Sequence, residues 1–231
     1  MKIENFKINN RSPVFIIAEL SANHNGSIET AIETIKAAKR AGADCIKLQT
    51  YTADTMTIDS NKNDFIIKGT IWEGKNLYNL YQKAYTPWEW HEKLFAVAKN
   101  ERLVCFSTPF DKSSTDFLED FDVPAYKIAS FEITDIPFIE YVASKNKPMI
   151  ISTGIAQEKD IELALDACKR IGNNDIALLK CTSSYPAPIE ESNMSMVKDL
   201  SERYIDIVDD FLQLIFSIVK SFLSVYLSGN W

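Results

Sequence analysis

From Val14 to Cys181 the chain alternates short, nearly continuous apolar runs with longer amphipathic stretches. The apolar runs are VFIIAEL (14–20), CIKLQT (45–50), LVCFST (103–108), AYKIAS (125–130), PMIIST (148–153) and IALLKCT (176–182), all rich in β-branched or aromatic residues. Helical patterns fall between them at about 28–41, 88–100, 113–121, 137–146 and 158–172, with another at about 193–202. Strands that are apolar on both faces and regularly separated by helices predict a parallel sheet covered on both sides. Six βα units are visible.

The punctuation agrees with this parsing. Ser27 is placed to cap a helix starting at Ile28, and Gly42 follows its end. Pro87 stands at the first turn of a helix carrying Trp88, Trp90 and Leu94, and Asn173 closes the helix that Glu158 begins. Residues 51–86 are too many for a plain βα loop, so short helices covering one end of the sheet are expected there.

Composition narrows the function. The chain has 231 residues, enough for one large domain with a sizeable core, and its net charge of −7 argues against general nucleic-acid binding. An anionic small substrate remains compatible, because a few lysines inside a pocket outweigh a distant acidic surface. The four cysteines (Cys45, Cys105, Cys168 and Cys181) form no CxxC pair, and free thiols in a reducing cytoplasm are the expected state. The first residues lack the apolar core of a signal peptide, and nothing before residue 207 has the length to span a membrane.

Polar residues cluster where the predicted strands end: Glu19, Lys47 with Gln49, Thr108, Lys127 with Ser130, Ser152, and Ser183 with Tyr185. Parallel α/β folds place their sites on that rim. Lys47 and Gln49 are two apart, so both point to one face of their strand. An inward lysine on a buried strand is costly unless it meets an anion. Lys127 repeats the arrangement two strands later. Together with the hydroxyls of Thr108, Ser130 and Ser152, the two lysines form a plausible cradle for phosphate and carboxylate. The competing reading is an internal ion pair, such as Lys47 with Glu19. Glu19 and Glu132 suit either proton transfer or structural pairing. His24, in the turn-forming SANHNGS, reads as a loop histidine bonding local backbone, and His91 as a packed one. Two distant histidines support no His-based metal site.

These residues carry a resemblance. FIIAELSANHNGS, GADCIKLQTY, FSTPFD, VPAYKIASFE, IISTGIA and LLKCTSSYP occur in this order and at similar spacing in the sialic-acid-synthase family, and the likeness covers about residues 13–203. AELSANH, DFIIKGTIWEGKNLYNLY and KIASFE look most like its pseudaminic branch. The resemblance implies a TIM (β/α)₈ barrel that condenses phosphoenolpyruvate with an open-chain amino-sugar aldehyde. It also implies a divalent metal, usually manganese, and a cytoplasmic homodimer. It places phosphoenolpyruvate at Lys47, Thr108, Lys127, Ser130, Ser152 and Ser183. It places the sugar near Gln49, Glu132 and Tyr185, and a proton-handling base at Glu19. Ser183 is commonly Asn in the neuraminate branch.

After about Tyr204 the likeness stops. The family's seventh strand with Gly-x-Ser-Asp-His, its second metal-binding His and its small antifreeze-like domain have no counterpart in this sequence. Residues 1–204 therefore read as an incomplete barrel domain of six units, without the family's histidine ligands for metal. Residues 205–231 read as an atypical apolar tail, for which a frameshift or premature stop is one origin that fits. A membrane anchor is the rival, marginal because Phe211 to Leu227 is only 17 residues and contains Lys220. A helix patching the open sheet edge is the third reading. Such a chain is expected to bind phosphoenolpyruvate weakly and to lack useful turnover.

Overall fold

The computed structural model describes residues 1–9, 11–69, 72–182 and 189–204. Ser183, Tyr185 and the tail from residue 205 lie outside the described residues, so the expectations placed on them are not addressed by the geometry.

The chain opens with a small antiparallel hairpin, β1 (Lys2–Ile3) and β2 (Phe6–Lys7). Six parallel strands follow: β3 (Ile17–Glu19), β4 (Cys45–Thr50), β5 (Val104–Pro109), β6 (Tyr126–Ile128), β7 (Met149–Ser152) and β8 (Ile176–Leu179). Each pairs in parallel with the strand next in sequence, giving the order β3-β4-β5-β6-β7-β8. The order never reverses, as it would in a doubly wound sheet; winding in one sense is barrel topology. The described residues thus form six βα units of a TIM-type barrel.

The crossovers are α1 (Ile28–Arg40), then α2 (Ala53–Met56), α3 (Leu77–Ala84) and α4 (His91–Asn100) between β4 and β5. They continue with α5 (Lys112–Glu119), α6 (Ile136–Ala143) and α7 (Glu158–Ile171), and α8 (Ser195–Arg203) follows β8. Local chemistry explains their ends. Ser27 accepts from the Thr30 amide, Asp111 from the Ser113 and Ser114 amides, and Asp135 from the Phe138 amide, each satisfying orphan donors at a helix start. The segment 51–86 does contain short helices, as its length required.

Some boundaries differ from the pattern. The run 14–20 yields a strand of only three residues. Val14 and Ile16 are half exposed, and the Ile16 amide is held by the Asp44 carboxylate at 2.8 Å instead of a ladder. The run 176–182 ends its ladder at Leu179, and the helix expected from residue 88 begins with a 3₁₀ turn, Trp88–Trp90. Gly172, not Asn173, closes α7: it adopts φ +90°, a left-handed cap that glycine takes without a Cβ penalty. Asn173 is instead a buried cross-brace, donating to the carbonyls of Ala143 and Lys147.

Alternation along the strands sorts the core into two layers. Ile46, Leu48 and Cys105 pack outward with Ala31, Ile35, Leu94 and Ala98 of α1 and α4. Cys45, Val104 and Phe106 fall inward in a second cluster, which includes Ile3 and Ile8 from the N-terminal hairpin region. All four cysteines are free, three of them buried. Among the described residues no helix is long and apolar enough to cross a membrane.

Candidate active site

The inward side chains at the strand C-terminal ends build one polar rim above the apolar interior. Register places Glu19 beside Lys47, Gln49 beside Thr108, and Ser107 beside Tyr126, so Thr108 and Lys127 fall at one height. Lys47 is 3% exposed and Lys127 4% exposed. Two ammonium groups this deep are tolerated only with partners.

The partners differ. Lys47 forms an ion pair with Glu19 and donates to Thr108 Oγ1 at 3.1 Å. Lys127 donates to the Ile128 carbonyl at 2.6 Å and to Ser152 Oγ, and among the described residues it has no carboxylate partner. Burial therefore pushes its pKa down to about 7, helped by the positive charge of Lys47; Cys181 opposes the shift most, followed by Glu19 and Glu132. These mutual influences place both lysines and both carboxylates in one electrostatic neighbourhood. The sequence left two readings for Lys47, anion binder or ion pair with Glu19. The pair exists, and the cation without one is Lys127.

The hydroxyls continue the rim. Ser152 Oγ also lies 3.2 Å from Cys181 Sγ, and Ser130 Oγ accepts from the Gly154 amide at 3.3 Å. Glu19 Oε1 accepts from the Ser21 amide at 3.1 Å, while Ser21 Oγ donates to Gln49 Oε1 at 3.1 Å. Ser21 adopts φ +45°, a left-handed conformation unusual for serine, which lets one residue hold both Glu19 and Gln49. Sequence reading passed over it, since a Ser after a strand carries no distinctive signal.

Glu132 sits in the 3₁₀ turn Ser130–Thr134, with Oε2 buried and unpartnered; its pKa is raised, chiefly by burial. Tyr81 of α3 was also overlooked. Its pKa is raised by burial and by the Glu132 charge, and its ring stands edge-on to Tyr51 at 5.8 Å.

Neither histidine joins the rim. His91 is buried between sheet and helix; Nδ1 lies 3.3 Å from the Pro87 carbonyl and Nε2 2.8 Å from Thr50 Oγ1, which contacts Ser107 Oγ at 2.7 Å. Burial pushes its pKa down to about 4. His24 Nδ1 accepts from the Gly26 amide at 3.1 Å, as expected of a loop histidine, and its ring packs edge-on against Trp90. Its Nε2 is buried without a hydrogen-bond partner. Among the described residues no three His, Cys, Asp or Glu side chains could hold a metal ion, so these residues do not fit the manganese that the resemblance implies.

Singly wound βα units with buried lysines and hydroxyls at the strand C-terminal rim define the class as a TIM-type barrel protein with a polar site where such folds place theirs. The NeuB family model matches residues 34–208, and the chain belongs to that family. It is 52% identical over 204 residues to a pseudaminic acid synthase of Campylobacter jejuni, covering 88% of this chain and 59% of that relative. It is 35% identical over 210 residues to an N,N'-diacetyllegionaminic acid synthase of Legionella pneumophila, covering 87% of this chain and 59% of that relative. Among solved structures it resembles the N-acetylneuraminic acid synthetase of Leptospira borgpetersenii in complex with citrate, with a TM-score of 0.77 and 30% identity. That match covers 88% of this chain and 66% of the other. The chain thus spans a little over half the length of the curated relatives it matches.

Proposed function

We propose that this chain carries the phosphoenolpyruvate-binding side of a pseudaminic acid synthase. The reaction joins phosphoenolpyruvate to an open-chain 2,4-diacetamido-2,4,6-trideoxy hexose. Carbon 3 of phosphoenolpyruvate attacks the aldehyde carbon, water adds at carbon 2, and phosphate leaves with cleavage of its carbon–oxygen bond.

The observation that carries the reading is Lys127: a buried cation with hydroxyl and carbonyl partners and no carboxylate. Such a group lacks a counter-ion, and a ligand bearing phosphate and carboxylate would supply one. Lys47, Thr108, Ser130, Ser152 and Ser183 would complete its cradle. Glu19, which accepts from the Ser21 amide, would take the proton of the attacking water. Gln49, Glu132 and Tyr185 are the residues assigned to the sugar. The diacetamido acceptor is favoured over N-acetylmannosamine by the 52% identity to pseudaminic acid synthases, and over the legionaminic series by the lower 35% identity there.

Calorimetry of this chain with phosphoenolpyruvate tests the first half of the reading. Phosphate release across a panel of aldoses, using a gene extended to the length of the relatives, tests the second. A chain that folds and binds no phosphoenolpyruvate sinks the assignment; release with an unmodified aldose but no acetamido sugar redirects it to another sugar-acid synthase.

A further inference from the structure

Ser21 occupies a backbone position that serine rarely takes. The Leu20 carbonyl accepts from the Asn23 amide at 3.0 Å and from Asn23 Nδ2 at 2.9 Å, closing a tight turn in which Ser21 is the first central residue. Its φ is +45°. Turns with a positive φ at that position are built mostly with Gly, Asn or Asp, because a Cβ there crowds the following carbonyl oxygen. The turn is anchored to β4, since the Leu20 amide donates to the Lys47 carbonyl at 3.0 Å. Glycine would suit this backbone better than serine does. A serine here points to a task for its hydroxyl.

The hydroxyl has one. Ser21 Oγ donates to Gln49 Oε1 at 3.1 Å, while the Ser21 amide donates to Glu19 Oε1 at 3.1 Å. Glu19 Oε2 is paired with Lys47. A primary amide has a carbonyl end that accepts and an NH₂ end that donates. Committing the carbonyl end of Gln49 to Ser21 fixes the rotation of that amide and leaves Nε2 as the end for a ligand. Gln49 is half-buried, shares a strand face with Lys47 and lies beside Thr108 in register, so its donor belongs to the rim.

We propose that Ser21 is a positioning residue for the acceptor sugar: its hydroxyl turns the Gln49 amide so that Nε2 donates to a carbonyl or hydroxyl oxygen of the sugar. It acts through Gln49 and touches no substrate itself. One residue thereby sets the sugar-binding amide on β4 with its side chain and the carboxylate on β3 with its backbone. This inference rests on the proposed function, which assigns Gln49 to the sugar. Its consequence is a conflict between fold and function at position 21. Ser21→Gly relieves the turn, which offsets the extra freedom glycine gives the unfolded chain, and it removes only the hydroxyl. Stability and sugar binding then part company, whereas for a merely structural serine they fall together.

The test follows the Gln49 side-chain amide of this chain by ¹⁵N NMR, its resonance pair assigned by loss in Gln49→Leu. The same samples are titrated with an open-chain probe, 2-acetamido-2-deoxymannitol, in the presence of phosphoenolpyruvate. Wild type is expected to show a rigid Gln49 amide. Ser21→Gly is expected to melt no lower than wild type, to release that amide into fast motion, and to bind the probe roughly fivefold more weakly or worse. Ser21→Ala, which keeps the left-handed backbone and loses the hydroxyl, should melt lower and bind as weakly. A Gln49 amide unchanged in Ser21→Gly overturns the proposal, as does probe affinity at the wild-type level once the amide is released. A joint fall of melting temperature and affinity in Ser21→Gly marks a structural serine and also overturns it. Wild type that binds phosphoenolpyruvate but not the probe removes the acceptor reading, and this proposal with it, so the two failures are told apart by which protein shows them.

Discussion

Lys47 reaches past its own register neighbour to donate to Thr108. The residue beside it on β5 is Phe106, yet its ammonium lies 3.1 Å from the Thr108 hydroxyl one layer nearer the rim. The interior below is apolar, so the long side chain carries its charge upward to where oxygen atoms are. That lift carries the cation to Thr108, which register puts level with Lys127 on the next strand.

Removing either lysine should therefore weaken the same ligand. Lys47→Ala and Lys127→Ala are each expected to lower phosphoenolpyruvate affinity by roughly 2–4 kcal/mol, the scale of a buried charge-assisted contact. Calorimetry measures it directly. Affinity at the wild-type level in both variants shows the anion site to be elsewhere.

Lys127 sets a pH dependence with opposite signs for binding and stability. Its folded pKa is about 7, against an ordinary value of 10.5. Between those values the unfolded chain holds the extra proton, so this group makes the unliganded protein more stable as pH rises from about 7 to about 10. Anion binding needs the ammonium and should weaken over the same range. Denaturation and calorimetry at about pH 6 and pH 8.5 report both, with Lys127→Met expected to flatten each. Affinity that climbs with pH contradicts the placement.

Behind the rim, Thr50, Ser107 and His91 form a buried relay that clamps the ends of β4 and β5. The Pro87 carbonyl 3.3 Å from Nδ1 assigns the proton there, so Nε2 accepts from Thr50 and Thr50 accepts from Ser107. Thr50→Val leaves His91 and Ser107 without that partner and is expected to lower stability by about 1–3 kcal/mol in urea titrations. Because burial holds His91 near pKa 4, it stays neutral in the fold while the unfolded ring protonates near 6.5. Its contribution, up to about 3 kcal/mol, is therefore lost as pH falls from 6.5 toward 4. A stability profile flat over that window refutes the assigned burial.

The thiols offer a chemical readout of the same rim. Cys45, Cys105 and Cys168 are buried, and burial raises all three pKa values, whereas Cys181 is half buried and sits 3.2 Å from Ser152 Oγ. Iodoacetamide on the native protein should label Cys181 first, and phosphoenolpyruvate should slow that labelling several-fold. Peptide mass mapping decides; labelling led by a buried thiol, or indifferent to the ligand, contradicts the arrangement.

Apolar runs of six or seven residues between amphipathic helices were enough, from the chain alone, to read six parallel βα units. That reading rests on burial, and burial is written residue by residue in hydrophobicity. The inward pairing of Lys47 with Gln49 followed likewise from the two-residue period of a strand. Two positions on one strand need no tertiary information. Tertiary structure alone decided which of the two lysines is neutralised by Glu19, and that Ser21 bends back to hold both Glu19 and Gln49. Those relations join residues far apart in the chain or hinge on a left-handed backbone. They depend on how strands close and on where the thirty-six-residue segment 51–86 lays its short helices, which no local pattern encodes.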